Sequence, residues 1–360
     1  MSGLLYREDL DEVRKRLTVW WNGGDIGRPA MLVNIRRPKP LPTVPAMAKP
    51  AGWITDYSIS NLEYRVNMAA RGGADRLCLG DNVPYAAPDL APNCLALYLG
   101  CKGKESPGTV WCEPFITEPK TPDFKFDPDN IYWKFTLRLA NEMKRVGKDR
   151  FLLHFPDLIE GLDTLAGMRG TEELLYDLIE RPEWVHACLR SITDRYFHYY
   201  DILYDLMRDE VGGSCFWMWA PGRMAKFQCD FSAMISPDMF GEFMVPVLKE
   251  MCERVSYCMY HWDGPGAIPH HDHLLSIPAL KMIQWMPGAG TDLEPSPRWW
   301  PLYHKTFEAG KKIFIYCGDE EALRKMKKEF GQQFKQFAIA FGSDSLTPAQ
   351  AEELVKSMGV

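Results

Sequence analysis

Along this chain, short apolar runs of strand length alternate with longer amphipathic stretches of helix length. The alternation is ragged at first and regular later. Residues 10–21 carry the spacing of an amphipathic helix that ends at Asn22-Gly-Gly24, and Ala30-Met-Leu-Val-Asn-Ile35 is a strand-like run. Prolines 38, 40, 42, 45 and 50 follow, and a stretch so poor in backbone donors cannot be regular structure. Residues 57–71 look helical up to Gly72-Gly73, and Asp75-Arg-Leu-Cys-Leu-Gly80 is a candidate strand with Asp81 just past its end. From 84 to 128 glycine and proline are frequent. The short runs at 94–99 and 110–112 suggest an excursion of strands and loops outside the main pattern.

After residue 129 the rhythm settles. The pattern predicts a helix over 129–147, a strand over 151–155 that includes His154, and helices over 172–180 and 183–210. A strand over 214–219 ends at Ala220-Pro-Gly222, and Ser236-Pro-Asp238 opens a helix with a cap, a first-turn proline and an acid against the dipole. A strand ending at His261, a helix near 266–275, a strand over 280–285 and a helix over 299–309 come next. A strand over 312–316 precedes a helix capped by Asp319, a strand over 337–341 is the last, and Thr347-Pro-Ala-Gln350 is a capping box. Alternation of this kind, with no GxGxxG after an early strand, predicts an α/β fold of the (β/α)8 TIM-barrel type. Residues 1–56 would form an irregular N-terminal extension packed on a barrel of 57–360, with the excursion at 84–128.

Composition narrows the functions. A hydrophobic content of 46% with 25% charged residues is that of a globular protein with a large core. The net charge of -6 argues against nucleic acid or an anionic membrane as the main partner. Ten scattered cysteines without a CxxC pair suit reduced, buried thiols. With no signal-peptide pattern at the N-terminus and no apolar run of membrane-spanning length, the sequence predicts a soluble cytoplasmic protein.

The stretch Tyr257-Cys-Met-Tyr-His261-Trp-Asp263-Gly-Pro-Gly266 concentrates chemistry. His261 and Asp263, two apart on a strand, point to one side, and the Gly-Pro-Gly turn lets a ligand approach the backbone. The spacing suits a metal ion, an acid/base pair or a hydrogen-bonded corner. On a barrel, the strand ends would gather Asp81, His154, Trp217, Trp219, Trp285 and Cys317 at the same face, with Arg223, Asp230 and the 270–273 histidine tract just beyond. His261, Asp263 and Cys317 would make a three-ligand zinc site with an open position. Asp230, Asp81 and His154 are candidate acid/base groups. Trp217, Trp219 and Trp285 would line a cavity for a flat ligand, Arg223 would clamp an anion, and His270 would reach the pocket while His271 points elsewhere.

Two segments carry a resemblance. Pro156-Asp-Leu-Ile-Glu-Gly161-Leu-Asp-Thr-Leu-Ala-Gly-Met-Arg-Gly170 and Cys229-Asp-Phe-Ser-Ala-Met-Ile-Ser236-Pro-Asp-Met-Phe-Gly resemble the uroporphyrinogen decarboxylase superfamily, as do His261 with its glycine turn and the closing Ser345-Leu-Thr-Pro-Ala-Gln. The similarity spans roughly residues 55–357. It implies a TIM-type barrel with a deep cleft. In the corrinoid-linked methyltransferase branch, zinc sits on a His-x-Cys pair plus a later Cys; here Asp263 stands in the first Cys position, Phe341-Gly-Ser343 stands about where the later Cys would be, and Cys317, one strand earlier, would compensate. The true decarboxylases carry an N-terminal arginine motif, of which only Arg36-Arg37 remain here. The resemblance therefore implies a divergent enzyme, nearer the methyltransferases, moving a one-carbon group between a corrinoid or folate carrier and a small acceptor. A corrinoid-binding protein would be the partner, and a homodimer is compatible. The alternatives are a cofactor-independent decarboxylase of a porphyrinogen or smaller acid and a non-catalytic tetrapyrrole or corrinoid carrier.

Overall fold

Thirteen strands and twelve α-helices are described in a computed structural model covering residues 4–360. The strands are β1 (Ala30–Arg36), β2 (Arg76–Gly80), β3 (Tyr85–Ala86), β4 (Lys102–Ser106), β5 (Thr109–Glu113), β6 (Leu152–Leu153), β7 (Ser214–Phe216), β8 (Met218–Ala220), β9 (Met224–Gln228), β10 (Tyr257–Asp263), β11 (Met282–Met286), β12 (Lys312–Tyr316) and β13 (Phe337–Ser343). The helices are α1 (Leu10–Trp21), α2 (Leu62–Arg71), α3 (Cys94–Tyr98), α4 (Ile131–Gly147), α5 (Gly161–Arg169), α6 (Thr171–Glu180), α7 (Pro182–Met207), α8 (Pro237–Glu253), α9 (His271–Leu275), α10 (Trp300–Glu308), α11 (Glu320–Phe330) and α12 (Pro348–Ser357).

Seven strands form one sheet in the order β2-β1-β13-β12-β11-β10-β9, parallel throughout except for β2, which runs antiparallel to β1. This is a mixed α/β fold with a largely parallel sheet. The sheet is not closed by hydrogen bonds. Short pieces pair outside it: β3 pairs in parallel with β6, His154 bridges in parallel to Cys215, and β7 pairs antiparallel with β8.

Period two governs the sheet. Tyr260, Trp262, Ile283, Trp285, Ile313 and Ile315 are buried on one face, and Trp262 and Trp285 meet the helical layer through His271 and Trp299. The opposite face carries Lys226, Gln228, His261, Asp263, Gln284, Phe314 and Tyr316, with His261 in register with Gln228 on one side and Gln284 on the other. The polar members of this row lie on β9, β10 and β11, at one side of the sheet.

Local chemistry explains most elements. The Ser236, Asp319 and Thr347 caps form as the sequence predicts, the last with its full capping box. The run at 94–99 becomes the short helix α3 rather than a strand, as its Leu and Ala content favours, while 110–112 lies within β5 of a hairpin. The predicted strand over 214–219 is broken. Trp217 has a φ of +55°, so the chain folds back there and β8 returns along β7. β9, with its Met-Ala-Lys-Phe-Gln alternation, has no counterpart in the sequence reading. β1, drawn from the expected extension 1–56, is an integral strand between β2 and β13. No helix of the described residues is long and apolar enough to cross a membrane.

Candidate functional site

At the C-terminal ends of β9 and β10, ligand atoms of Asp230, His261 and Asp263 lie within 4.8 Å of one another. His261 and Asp263 converge because they are two apart on β10, and Asp230 joins them because it lies two residues past the end of the neighbouring strand.

The surrounding hydrogen bonds fix which atoms are free. Gln284 Nε2 donates to the Trp285 carbonyl at 3.1 Å, which turns its Oε1 toward His261 Nδ1. Nδ1 must therefore carry the ring proton, and the other nitrogen is left bare. This is the arrangement by which metal-binding histidines have their tautomer set. Burial, followed by the nearby Lys226 ammonium, pushes the His261 pKa down, so the imidazole is neutral.

Lys226 is almost fully buried one row deeper in the sheet. Its ammonium donates to Asp157 Oδ1 at 2.6 Å and to Gln228 Oε1. Because an ammonium only donates, Gln228 must accept at Oε1 and donate from Nε2. It does so to Asp230 Oδ2 at 3.1 Å and Asp163 Oδ2 at 3.3 Å. Asp163 also accepts the backbone N–H groups of Asp230 and Phe231, both at 2.8 Å, which fixes the turn bearing Asp230. Glu160 Oε1 accepts from Gln228 N at 2.6 Å, and its Oε2 has no partner. Burial pushes the Glu160 carboxyl well up, consistent with a protonated acid there.

Burial also raises Asp163 to about 6, with repulsion from Asp230 adding to the effect. Asp230 is likewise raised to about 6 by burial, although Lys226 pulls against the shift. Asp89, whose Oδ1 accepts from Asp157 N at 3.0 Å, is also raised to about 6, first by burial and then by Asp157. With Asp157, Asp230 and Asp263 facing a single lysine, the cluster suits a cation. Its donors, two carboxylates and an imidazole, belong to the set taken by zinc, manganese or iron(II), and no thiolate is among them.

Beside the cluster stands Trp217. Its ring centroid is 5.7 Å from that of His261, 6.0 Å from Phe314 and 6.3 Å from Tyr316. It lines a cavity of about 380 Å³ together with Asn34, Tyr85, Phe314, Tyr316 and Gly342. A positive φ at a bulky residue costs about 1–3 kcal/mol and persists only where the surroundings enforce it. Here Trp217 N donates to His154 Nε2 at 2.7 Å, while His154 Nδ1 faces the Phe155 carbonyl at 2.6 Å.

His154 is therefore a neutral fixture and not an acid/base group; burial lowers its pKa to about 4. Other expected site residues also take different places. Asp81 is at the opposite end of the sheet, because β2 is antiparallel and its end meets Met31 at the start of β1. There it pairs with Arg16 at 2.9 Å and with Arg28, and it accepts from Met31 N at 3.0 Å. Arg223 lies in the turn from β8 to β9, immediately before the start of β9. It pairs with Asp201 and lies over Tyr200 and Tyr204, away from Asp230. Trp219, reversed by the turn at Trp217, is core and donates to Asp209 at 2.8 Å. Trp285 is core too, between Trp262 and Trp299. His270 Nε2 donates to the Ser232 carbonyl at 2.8 Å and its ring stacks on Phe240, while His271 stacks on Trp262, so the two rings do point apart. Cys317 is outside the cluster. It follows the inward-facing Tyr316 by one residue, its thiol donates to the Asp319 carbonyl at 3.3 Å, and burial raises it to about 11.

Asp157, Lys226, Gln228 and Gln284 are site residues that sequence reasoning missed. The available signal was a lysine and a glutamine at alternate positions of an otherwise apolar run, Met224-Ala-Lys-Phe-Gln228. Such residues are rarely buried without a partner. Searched against protein-family models and against curated proteins, the chain matches none.

Proposed function

We propose that this chain is a divergent enzyme of the uroporphyrinogen decarboxylase kind, with its strands closed into a barrel through β3, β6 and β7. In this reading it binds a divalent cation at Asp230, His261 and Asp263 and moves a methyl group between a corrinoid or folate carrier and a small acceptor. The observation that carries the reading is the convergence of these three side chains, with the bare nitrogen of His261 fixed by Gln284. A cavity of about 380 Å³ is in the range of small-molecule sites, so the acceptor would lie in the chain and the carrier would approach from solvent.

When bound, such an ion polarises an oxygen or lowers the pKa of a coordinated thiol or water. The chain's own groups do the rest. Lys226, through Gln228, aims Asp230. Asp163 holds the turn that carries it. Trp217 borders both the cluster and the cavity, so an acceptor in the cavity would meet the cluster past its ring. Zinc with oxygen-rich ligands suits the donor set better than a thiolate-rich site, since Cys317 is not among the gathered residues.

A second reading, decarboxylation without a metal, draws on one observation: Asp230, raised to about 6, stands near the fixed Lys226 cation and could deliver a proton to a developing carbanion. Asp81 and Arg223 take no part in it.

The test is metal analysis of protein purified without added metal, native and His261→Ala, followed by methyl transfer from methylcobalamin to small thiol or phenol acceptors. The proposal expects near-stoichiometric metal that His261→Ala loses, together with the methyl-transfer signal. Metal-free protein that decarboxylates a carboxylic acid in the presence of a chelator would replace it with the second reading.

A further inference from the structure

The cavity next to Trp217 has a definite chemistry. Its walls are aromatic: Tyr85 of β3, Phe314 and Tyr316 of β12, and Trp217 at the tip of the β7–β8 turn. Among the described residues neither the Tyr85 nor the Tyr316 hydroxyl has a hydrogen-bond partner, and burial raises both phenols, so each keeps its proton. Asn82 donates to the Val33 carbonyl at 3.2 Å and leaves its amide oxygen free, while Asn34 accepts from Arg76 Nε at 2.8 Å and leaves its amide N–H groups free. Among the described residues Arg76 is the one cation on the wall, and it is paired with Asp344. The space is therefore flat-walled, rimmed by neutral donors and acceptors, and free of uncompensated charge.

The floor is open because a glycine forms it. Gly342 of β13, opposite Asn34 of β1, has no atom within 4 Å of where its Cβ would stand. Most glycines in strands meet a neighbour or mark a bulge; this one leaves room over the sheet where a ring can lie. Trp217, held at positive φ by His154, borders the side facing His261. A planar ligand over Gly342, against the touching rings of Trp217, Phe314 and Tyr316, would reach the Asp230–His261–Asp263 cluster past the Trp217 ring.

We infer that this cavity is the acceptor subsite, and that it selects a small planar ring bearing uncharged hydroxyl or amide substituents over saturated rings and over carboxylates. The inference names the substrate class for the cluster and rests on the reading of the cluster as the reacting centre. Aromatic faces gain from offset or edge contact with another ring, which a saturated ring of equal size does not supply. A carboxylate would meet no free cation in the cavity.

The experiment uses the full chain and calorimetric titration with phenol, benzamide, cyclohexanol and benzoate. Variants Gly342→Leu and Trp217→Leu are compared with the native protein, and the cation affinity of each is measured alongside. Expected results are phenol and benzamide binding at least tenfold tighter than cyclohexanol and benzoate, and a loss of at least tenfold in Gly342→Leu with cation affinity unchanged. Trp217→Leu is expected to lose a similar factor and provides the second reading should Gly342→Leu fail to fold. Equal binding of phenol and cyclohexanol, benzoate binding tighter than benzamide, or undiminished phenol binding in both variants would overturn the inference. Protein that holds no cation but still loses phenol binding in Gly342→Leu would retain the subsite and remove the metal reading.

Discussion

Replacing Gln284 by Leu tests the orientation of His261 with little change of volume. Gln284 is fully buried, and its amide makes two contacts: it accepts from His261 Nδ1 and donates to the Trp285 carbonyl. Without the acceptor, the imidazole is free to carry its proton on either nitrogen, and only one tautomer leaves the cluster-facing nitrogen bare. Loss of such a partner lowers metal affinity by about 10- to 100-fold, or about 1.4–2.8 kcal/mol. Stability falls as well, because the Trp285 carbonyl and the His261 N–H lose partners in a buried setting at about 1–3 kcal/mol apiece, partly offset by the apolar leucine. The assay is titration of Mn²⁺ or Zn²⁺ into metal-free protein at pH 7.5, with urea unfolding in parallel. Gln284→Glu keeps an acceptor for Nδ1–H and is expected to retain affinity to within about threefold. If Gln284→Leu binds the ion as tightly as native protein while His261→Ala loses it, the argument from tautomer control fails.

Cys317→Ser should leave cation affinity within about twofold of native, since the thiol is engaged elsewhere; a loss of about tenfold or more in the same titration would bring it back among the ligands. Asp81→Asn should cost about 3–5 kcal/mol in urea unfolding, because Arg16 and Arg28 lose a buried counter-charge, and it should leave the cation site untouched. Burial acts to raise the Asp81 carboxyl but the two arginines outweigh it and hold it below its ordinary value, so its stabilisation is present above about pH 3.9 and is lost as pH falls through the lower folded value. His154 has the same sign for a different reason. Its folded pKa of about 4 lies below the unfolded value of about 6.5, so the unfolded chain binds the proton first and stability falls by about 2 kcal/mol between pH 7 and pH 5. His154→Gln should remove that part of the pH dependence in unfolding curves at the two pH values, and an unchanged slope would count against a neutral buried imidazole.

The regular half of the chain was legible because its strands and helices carry clear periods and strong caps. Ser236, Asp319 and Thr347 cap helices as read, and His261 and Asp263 face one side as period two requires. What was hidden depended on direction and on tertiary contact. The antiparallel course of β2 moved Asp81 to the far end, and nothing in Arg76-Leu-Cys-Leu-Gly80 encodes strand direction. The reversal at Trp217 required a bulky residue at positive φ, a choice that local propensity opposes and His154 enforces from 63 residues away. Lys226 and Gln228 broke an apolar run that was not recognised as a strand, so the residues that orient Asp230 were absent from the reading.

The first helix of the chain has a bearing on how the molecule is made. α1 buries Leu10, Val13, Leu17, Trp20 and Trp21; Arg14 meets Asp209 at 2.8 Å, Trp21 donates to the Trp219 carbonyl at 3.0 Å, and Trp20 to the Lys335 carbonyl at 2.8 Å. During synthesis this segment leaves the ribosome well before its docking partners, which lie 195 to 315 residues further along the chain. A greasy amphipathic helix must wait, unpaired, until the sheet it seals has almost been completed, which leaves it exposed to chaperones and to misassociation in the nascent chain.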